Sequence, residues 1–147
     1  MKLANRIKVT VFAKPEEDEA TIREKFLCLF PFNLEEEKIP LKKSRATSFN
    51  QRQITIYAVE LFKDRHINAF LKSIRDKLDE QQKQMLIGQE NRLDENLDFF
   101  IRLDKQCLFN NQLQVTDCGD CFHIRISVAA FPREKEAALE VMKKIFS

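Results

Sequence analysis

Phe122-His123-Ile124-Arg125-Ile126-Ser127-Val128 places an apolar side chain at every second position and a polar one between. That is the period of a strand with one buried and one wet face. Such a strand needs cover on one side only, so it belongs to a sheet with helices on a single face rather than to a parallel sheet buried on both. Upstream, Phe99, Ile101 and Leu103 alternate with Phe100, Arg102 and Asp104, a second one-sided strand that runs towards Cys107 and turns at Asn110-Asn111. A further turn at Asp117-Cys118-Gly119-Asp120 leads into Phe122, and the three strands so defined predict an antiparallel meander. Downstream, Phe131-Pro132 stops the strand. Ala137, Ala138, Val141, Met142 and Ile145 then form the apolar stripe of a closing helix.

The first half of the chain supplies the remaining layers. Ile7, Val9 and Val11 alternate with Lys8, Thr10 and Phe12, another one-sided strand. Pro15 reads as the first helical position, followed by Glu16, Glu17 and Asp18 at the positive end of the helix dipole. Ile22, Phe26, Leu29 and Phe30 carry that helix to about Pro31. Residues 35–52 are charged and weakly patterned, with Pro40, the cluster Lys42-Lys43-Arg45 and the polar stretch Thr47-Ser48-Phe49-Asn50-Gln51. Gln53 to Leu61 is rich in β-branched residues and reads as a strand partnered by the segment Lys38 to Arg45. Asp64 reads as an N-cap, and Ile67, Phe70, Leu71, Ile74 and Leu78 make the clearest helical stripe. Beyond it, residues 79–84 either continue the helix exposed or break it before Met85-Leu86-Ile87. The predicted fold is α+β: one two-layer domain over residues 1–147, a mainly antiparallel sheet with about three helices packed on one face.

Composition narrows function. A chain of 147 residues that is 44% hydrophobic and 33% charged is globular. Two glycines cannot build a Gly-rich phosphate loop or a dinucleotide fingerprint. A net charge of +2 gives no whole-molecule attraction to polyanions, so any basic surface is local. No apolar run is long enough for a membrane span or a secretion signal, and four cysteines are not needed to hold this core. The expectation is a cytoplasmic protein with reduced thiols and no membrane contact.

Candidate sites are few. Cys118-Gly119-Asp120-Cys121, with His123 and Cys107 nearby, is half of a zinc or redox pattern but lacks a second pair. His66 opens a helix and reads as solvated. Asp98, Asp104, Asp117 and Asp120 are the only plausible carboxylates for a two-metal nuclease, yet their positions are those of strand ends and turns. No cofactor, metal or catalytic residue is expected. The basic groups carry more weight: Lys42, Lys43 and Arg45 in a polar segment, and Arg102, His123 and Arg125 on the polar sheet face beside Phe12 and Phe100. Cations position phosphates while rings stack on unpaired bases, which is how sheet-surface modules hold single-stranded RNA. The competing readings are a protein-interaction module, prompted by thirteen phenylalanines, and a metal-dependent hydrolase.

The run Phe99-Phe100-Ile101-Arg102-Leu103-Asp104-Lys105-Gln106, the stretch Asp120 to Pro132, and the opening Ile7 to Ala13 with Glu16-Glu17-Asp18-Glu19 together resemble an archaeal RNA-binding family, formerly a domain of unknown function and labelled a predicted exosome subunit. The resemblance covers the whole chain, and its most specific piece is Arg102-Leu103-Asp104-Lys105-Gln106. It implies a fold similar to the ribosomal protein that binds 5S RNA and an RNA-related role with exosome subunits as partners. The leading expectation is a non-enzymatic RNA-binding domain, and the surplus of apolar residues makes a homodimer one option for assembly. The candidate RNA-contacting residues are Lys42, Lys43, Arg45, Arg102, Lys105, Gln106, His123 and Arg125. Whether the motif residues touch RNA or brace the hairpin is left open at this level.

Overall fold

A computed structural model describes residues 2–47 and 50–147. Ser48 and Phe49, in the expected polar turn, lie outside the described residues. The elements run β1 Ala4–Ala13, α1 Glu19–Cys28, β2 Lys42–Thr47, β3 Gln53–Leu61, α2 Asp64–Lys77, α3 Glu80–Gly88, a single 3-10 turn at Glu90–Arg92, β4 Asp98–Asp104, α4 Lys105–Phe109, β5 Cys121–Val128 and α5 Lys135–Phe146. The five strands form one sheet in the order β2-β3-β1-β5-β4, antiparallel throughout.

Period-2 alternation sorts the two faces as expected. Ile7, Val9 and Val11 meet Leu61, Val59 and Tyr57 on one side and Ile126, Ile124 and Phe122 on the other, and all are buried. Onto this face the helices pack Ile22 and Phe26 of α1, Ile67, Phe70 and Ile74 of α2, Leu86 of α3, and Ala138, Met142 and Ile145 of α5. The interleaved Lys8, Thr10, Phe12, His123 and Arg125 are only half-buried or exposed. None of the described helices is long and apolar enough to cross a membrane.

Local chemistry explains where the elements depart from expectation. The first helix begins after Asp18, whose carboxylate accepts from the Ala20 amide at 3.2 Å and the Thr21 hydroxyl at 2.7 Å; Pro15 lies in the preceding turn. Asp64 is the first residue of α2, with Lys63 at the cap. The chain breaks at Leu78 (ψ 140°), and Asp79 caps α3 through the Gln82 amide at 2.8 Å. Asp104 caps α4 by accepting from the Cys107 amide at 2.9 Å, so a helix stands where β4 was expected to run on. The middle strand of the meander shrinks to one bridge, Leu103 with Val115. These breaks raise the helix count among the described residues from about three to five without changing the class.

Candidate nucleic-acid interface

Strand register lays the uncovered face out in rows. One row runs Glu60, Lys8, Arg125, Phe100; the next runs Lys42, Ala58, Thr10, His123, Arg102. Phe12 lies opposite Ile56 one step further along, and it is 47% exposed. The rings of Phe100 and His123 are 5.6 Å apart, and the Arg125 guanidinium lies 5.8 Å from the Phe100 centroid. Arg125 is oriented by buried Asp98, donating from Nε at 2.9 Å and also from Nη2, while the Ser127 hydroxyl donates to the other Asp98 oxygen at 2.8 Å. Arg102 donates from Nη1 to the Asp117 carbonyl at 3.2 Å. Neither Lys8 nor Arg102 forms an ion pair with a described residue. Arg6 and Lys42 share Glu60, each at 3.9 Å. Arg6, Lys8, Lys42, Arg102 and Arg125 therefore outnumber Glu60, Asp98 and Asp104, and all three carboxylates are engaged, Glu60 by Arg6 and Lys42, Asp98 by Arg125 and Asp104 by the α4 cap. Burial, and then the neighbouring Arg102 and Arg125, push the His123 imidazole below its usual pKa, which keeps it neutral at physiological pH.

The basic candidates from the sequence divide into three groups. Lys42, Arg102, His123 and Arg125 converge on the open face. Lys43 and Arg45, one and three residues on from Lys42 in β2, share the register side of Tyr57 and Thr55 and face the helical layer. Lys43 lies 3.7 Å from Glu19 and 5.8 Å over the Tyr57 ring. The hydrogen bond to Thr55, with Lys43 and Arg45 nearby, lowers the Glu19 pKa. A strand cannot aim adjacent residues at one partner, so Lys42-Lys43-Arg45 is not a single phosphate clamp.

Lys105 forms the third group and is not a surface cation. It is 3% exposed, and its ammonium donates to the Phe12 carbonyl at 2.7 Å, Glu17 Oε1 at 3.1 Å and Asp120 Oδ1 at 2.6 Å. Lys14 reaches the other Asp120 oxygen at 2.7 Å. This polar knot ties the β1–α1 turn and the start of α4 to the loop before β5, which fixes Lys105 as a brace. Gln106 is exposed on α4. Burial alone would raise the Asp120 pKa, but hydrogen bonds from Lys105 and Lys14 overcome it and leave the carboxyl below its ordinary value.

The remaining candidates are dispersed. Asp98, Asp104, Asp117 and Asp120 each have separate partners, and the described residues contain no group of three His, Cys, Asp or Glu side chains arranged to hold a metal. The four cysteines are free thiols; burial raises the Cys121 pKa, and Cys118 is exposed. His66 is buried rather than solvated, its Nε2 3.2 Å from Glu37 and its ring 5.1 Å from Phe32. Sequence reasoning missed two buried polar groups that shape the β4 border. Arg92 reaches Asp117 at 3.3 Å and the Phe100 carbonyl at 3.5 Å. Gln82 donates to the Leu113 carbonyl at 2.8 Å and accepts from the Val115 amide at 2.7 Å. Neither position carries a signal beyond a helix-former's polarity.

Fold and face together define a class: a two-layer α+β domain whose sheet offers one solvated side bearing cations and rings. Within that class, the family model described as RNA binding matches residues 6–128, and the chain belongs to this family. It is 28% identical over 142 residues to the RNA-binding protein PAB1135 of Pyrococcus abyssi, spanning 96% of this chain and 92% of that one. Among solved structures it is similar to Mth689, a DUF54 protein from Methanothermobacter thermautotrophicus (TM-score 0.80, 25% identity, 99% of this chain and 100% of that one). It is also similar to protein AF2318 from Archaeglobus fulgidus (TM-score 0.84, 26% identity, 98% and 99%).

Proposed function

We propose that this domain holds single-stranded RNA on the open face of its sheet and does not cleave it. The observation that carries the reading is the convergence of Lys8, Lys42, Arg102 and Arg125 with the rings of Phe12, Phe100 and His123 on the side that none of the described helices covers. Cations there meet phosphates, and rings offer stacking surfaces that accept any base. Membership of an RNA-binding family supports the same partner. In a cell such a domain serves as the RNA-holding part of a processing assembly, the exosome being the one the family resemblance implies.

Fluorescence anisotropy against single-stranded and structured RNA at two salt concentrations tests this. Micromolar affinity is expected, falling with salt by a log–log slope of about −0.7 per phosphate contacted on a single strand, because each contact releases counterions. Labelled RNA should stay intact during the titration. Absence of binding at the lowest salt, or degradation of the RNA, overturns the reading.

A protein-docking role has narrower support. Phe62 and Phe131 are 60% and 98% exposed, but single exposed rings are ordinary on protein surfaces. Binding of RNA by a Phe62→Ser, Phe131→Ser variant at the native level would separate the two.

A further inference from the structure

At the Asp117–Asp120 end of the open face lies a recess of about 250 Å³, lined by Thr10, Phe12, Arg102, Gly119, Cys121 and His123. Pockets for drug-sized ligands start at roughly 300 Å³, so this one suits a single flat ring system. β1 is the central strand of the sheet, where neighbours on both sides ordinarily cover a side chain, yet the Phe12 ring is 47% exposed there. Its free surface is a stacking platform rather than a core contact. Across the recess, Arg102 follows Thr10 and His123 in one row of the register. The hydrogen bond from Nη1 to the Asp117 carbonyl orients the guanidinium and leaves its remaining N–H groups without a described partner. Burial and two neighbouring guanidinium groups hold the His123 imidazole below its usual pKa, which leaves Arg102 as the charged group in the wall of the recess.

Building on the reading of this face as an RNA interface, we propose that the recess takes one unpaired purine base, guanine in preference, stacked on Phe12 with its O6 and N7 towards Arg102. The fork of an arginine asks for two adjacent acceptors. Guanine offers O6 beside N7, whereas adenine offers N7 beside a donor amine. Uracil separates its carbonyl oxygens by an N–H. Cytosine has two neighbouring acceptors but only one ring to lay on Phe12.

Anisotropy titrations of oligouridines carrying one central G, A, C or U test the assignment. The G oligonucleotide should bind about tenfold more tightly than all-U, with A intermediate and C close to U, in line with the worth of one good base contact. R102K keeps the charge, loses the fork and should erase the preference for G over A. F12L should bring both purines down to the level of U, with circular dichroism melts confirming that each variant folds. Equal binding of all four, a preference for A or a pyrimidine, or an unaltered G preference in both variants overturns the inference. Salt-dependent binding without base preference leaves the RNA interface standing and removes only the recess. Failure of every oligonucleotide to bind at low salt removes both.

Discussion

The open sheet face and the knot at its end are built from the same kinds of side chain and behave as opposites. On the face, Lys8 and Arg102 stand without ion-pair partners among the described residues, and Arg125 is held by one carboxylate from the sheet border. In the knot, Lys105 is buried and meets a carbonyl and two carboxylates. A cation with all its donors engaged by its own chain has nothing left for a phosphate. Arg102 and Lys105 sit three residues apart in the same motif, so what separates a binding group from a brace is burial and pairing, not residue type or local sequence.

The largest effect should come from Lys105→Met. It removes the buried ammonium of the knot and takes its hydrogen bonds from the Phe12 carbonyl and Glu17. Both carboxylates are partly exposed and Asp120 keeps Lys14, so the cost is about 1–3 kcal/mol, short of that for a fully buried pair. Urea denaturation should show that loss, while the folded protein binds RNA with close to native affinity; weaker binding at native stability would break the contrast. Next, Lys8→Glu with Arg102→Glu should weaken RNA binding by about tenfold or more and flatten the salt dependence. Stability should move by less than about 0.5 kcal/mol, as surface changes usually do. A smaller effect is expected from acid. The Asp120 pKa is depressed in the folded protein, so its contribution is present above the unfolded carboxylate value, near pH 4, and is lost as pH falls through the folded one. The difference in Tm between wild type and Asp120→Asn should therefore shrink below about pH 4, and exposure of this carboxylate keeps the underlying difference in stability to about 1 kcal/mol at most. The smallest effect belongs to Lys43→Ala with Arg45→Ala on the helical side, for which anisotropy should show a change of less than about twofold. A loss equal to that of the open-face double variant would mean that RNA wraps the β2 edge.

Much of the fold was legible because period-2 alternation is a local property. Phe122–Val128 and Ile7–Phe12 declare their buried side residue by residue, and the open face could be written down before any strand order was known. β2 begins later than the expected Lys38: the chain is still turning there (φ 59°), and Ile39 folds back to the Leu34 carbonyl, so pairing starts only at Lys42. The middle strand of the meander is cut to one bridge because only the Gln114 carbonyl and the Thr116 amide turn to β4, while the Leu113 carbonyl and the Val115 amide turn to the side chain of Gln82, more than thirty residues away. At the site, the open-face cations followed from the alternation, and the same alternation already splits Lys42 from Lys43. The role of Lys105 depends on Glu17 and Asp120 arriving from two distant loops, and nothing local encodes that.

The border at β4 carries one more consequence. Most of its outward backbone groups are met: the Asp98 carbonyl by the Asp94 amide, the Phe100 carbonyl by Arg92, the Arg102 carbonyl by the Thr116 amide, and the Asp104 amide by the Gln114 carbonyl. The opposite border, β2, is exposed along its whole length but loaded with Lys42, Lys43 and Arg45. An intruding strand would find most of the first rim already taken and the second ringed with like charge, so both margins of the lamina resist growth into fibrils.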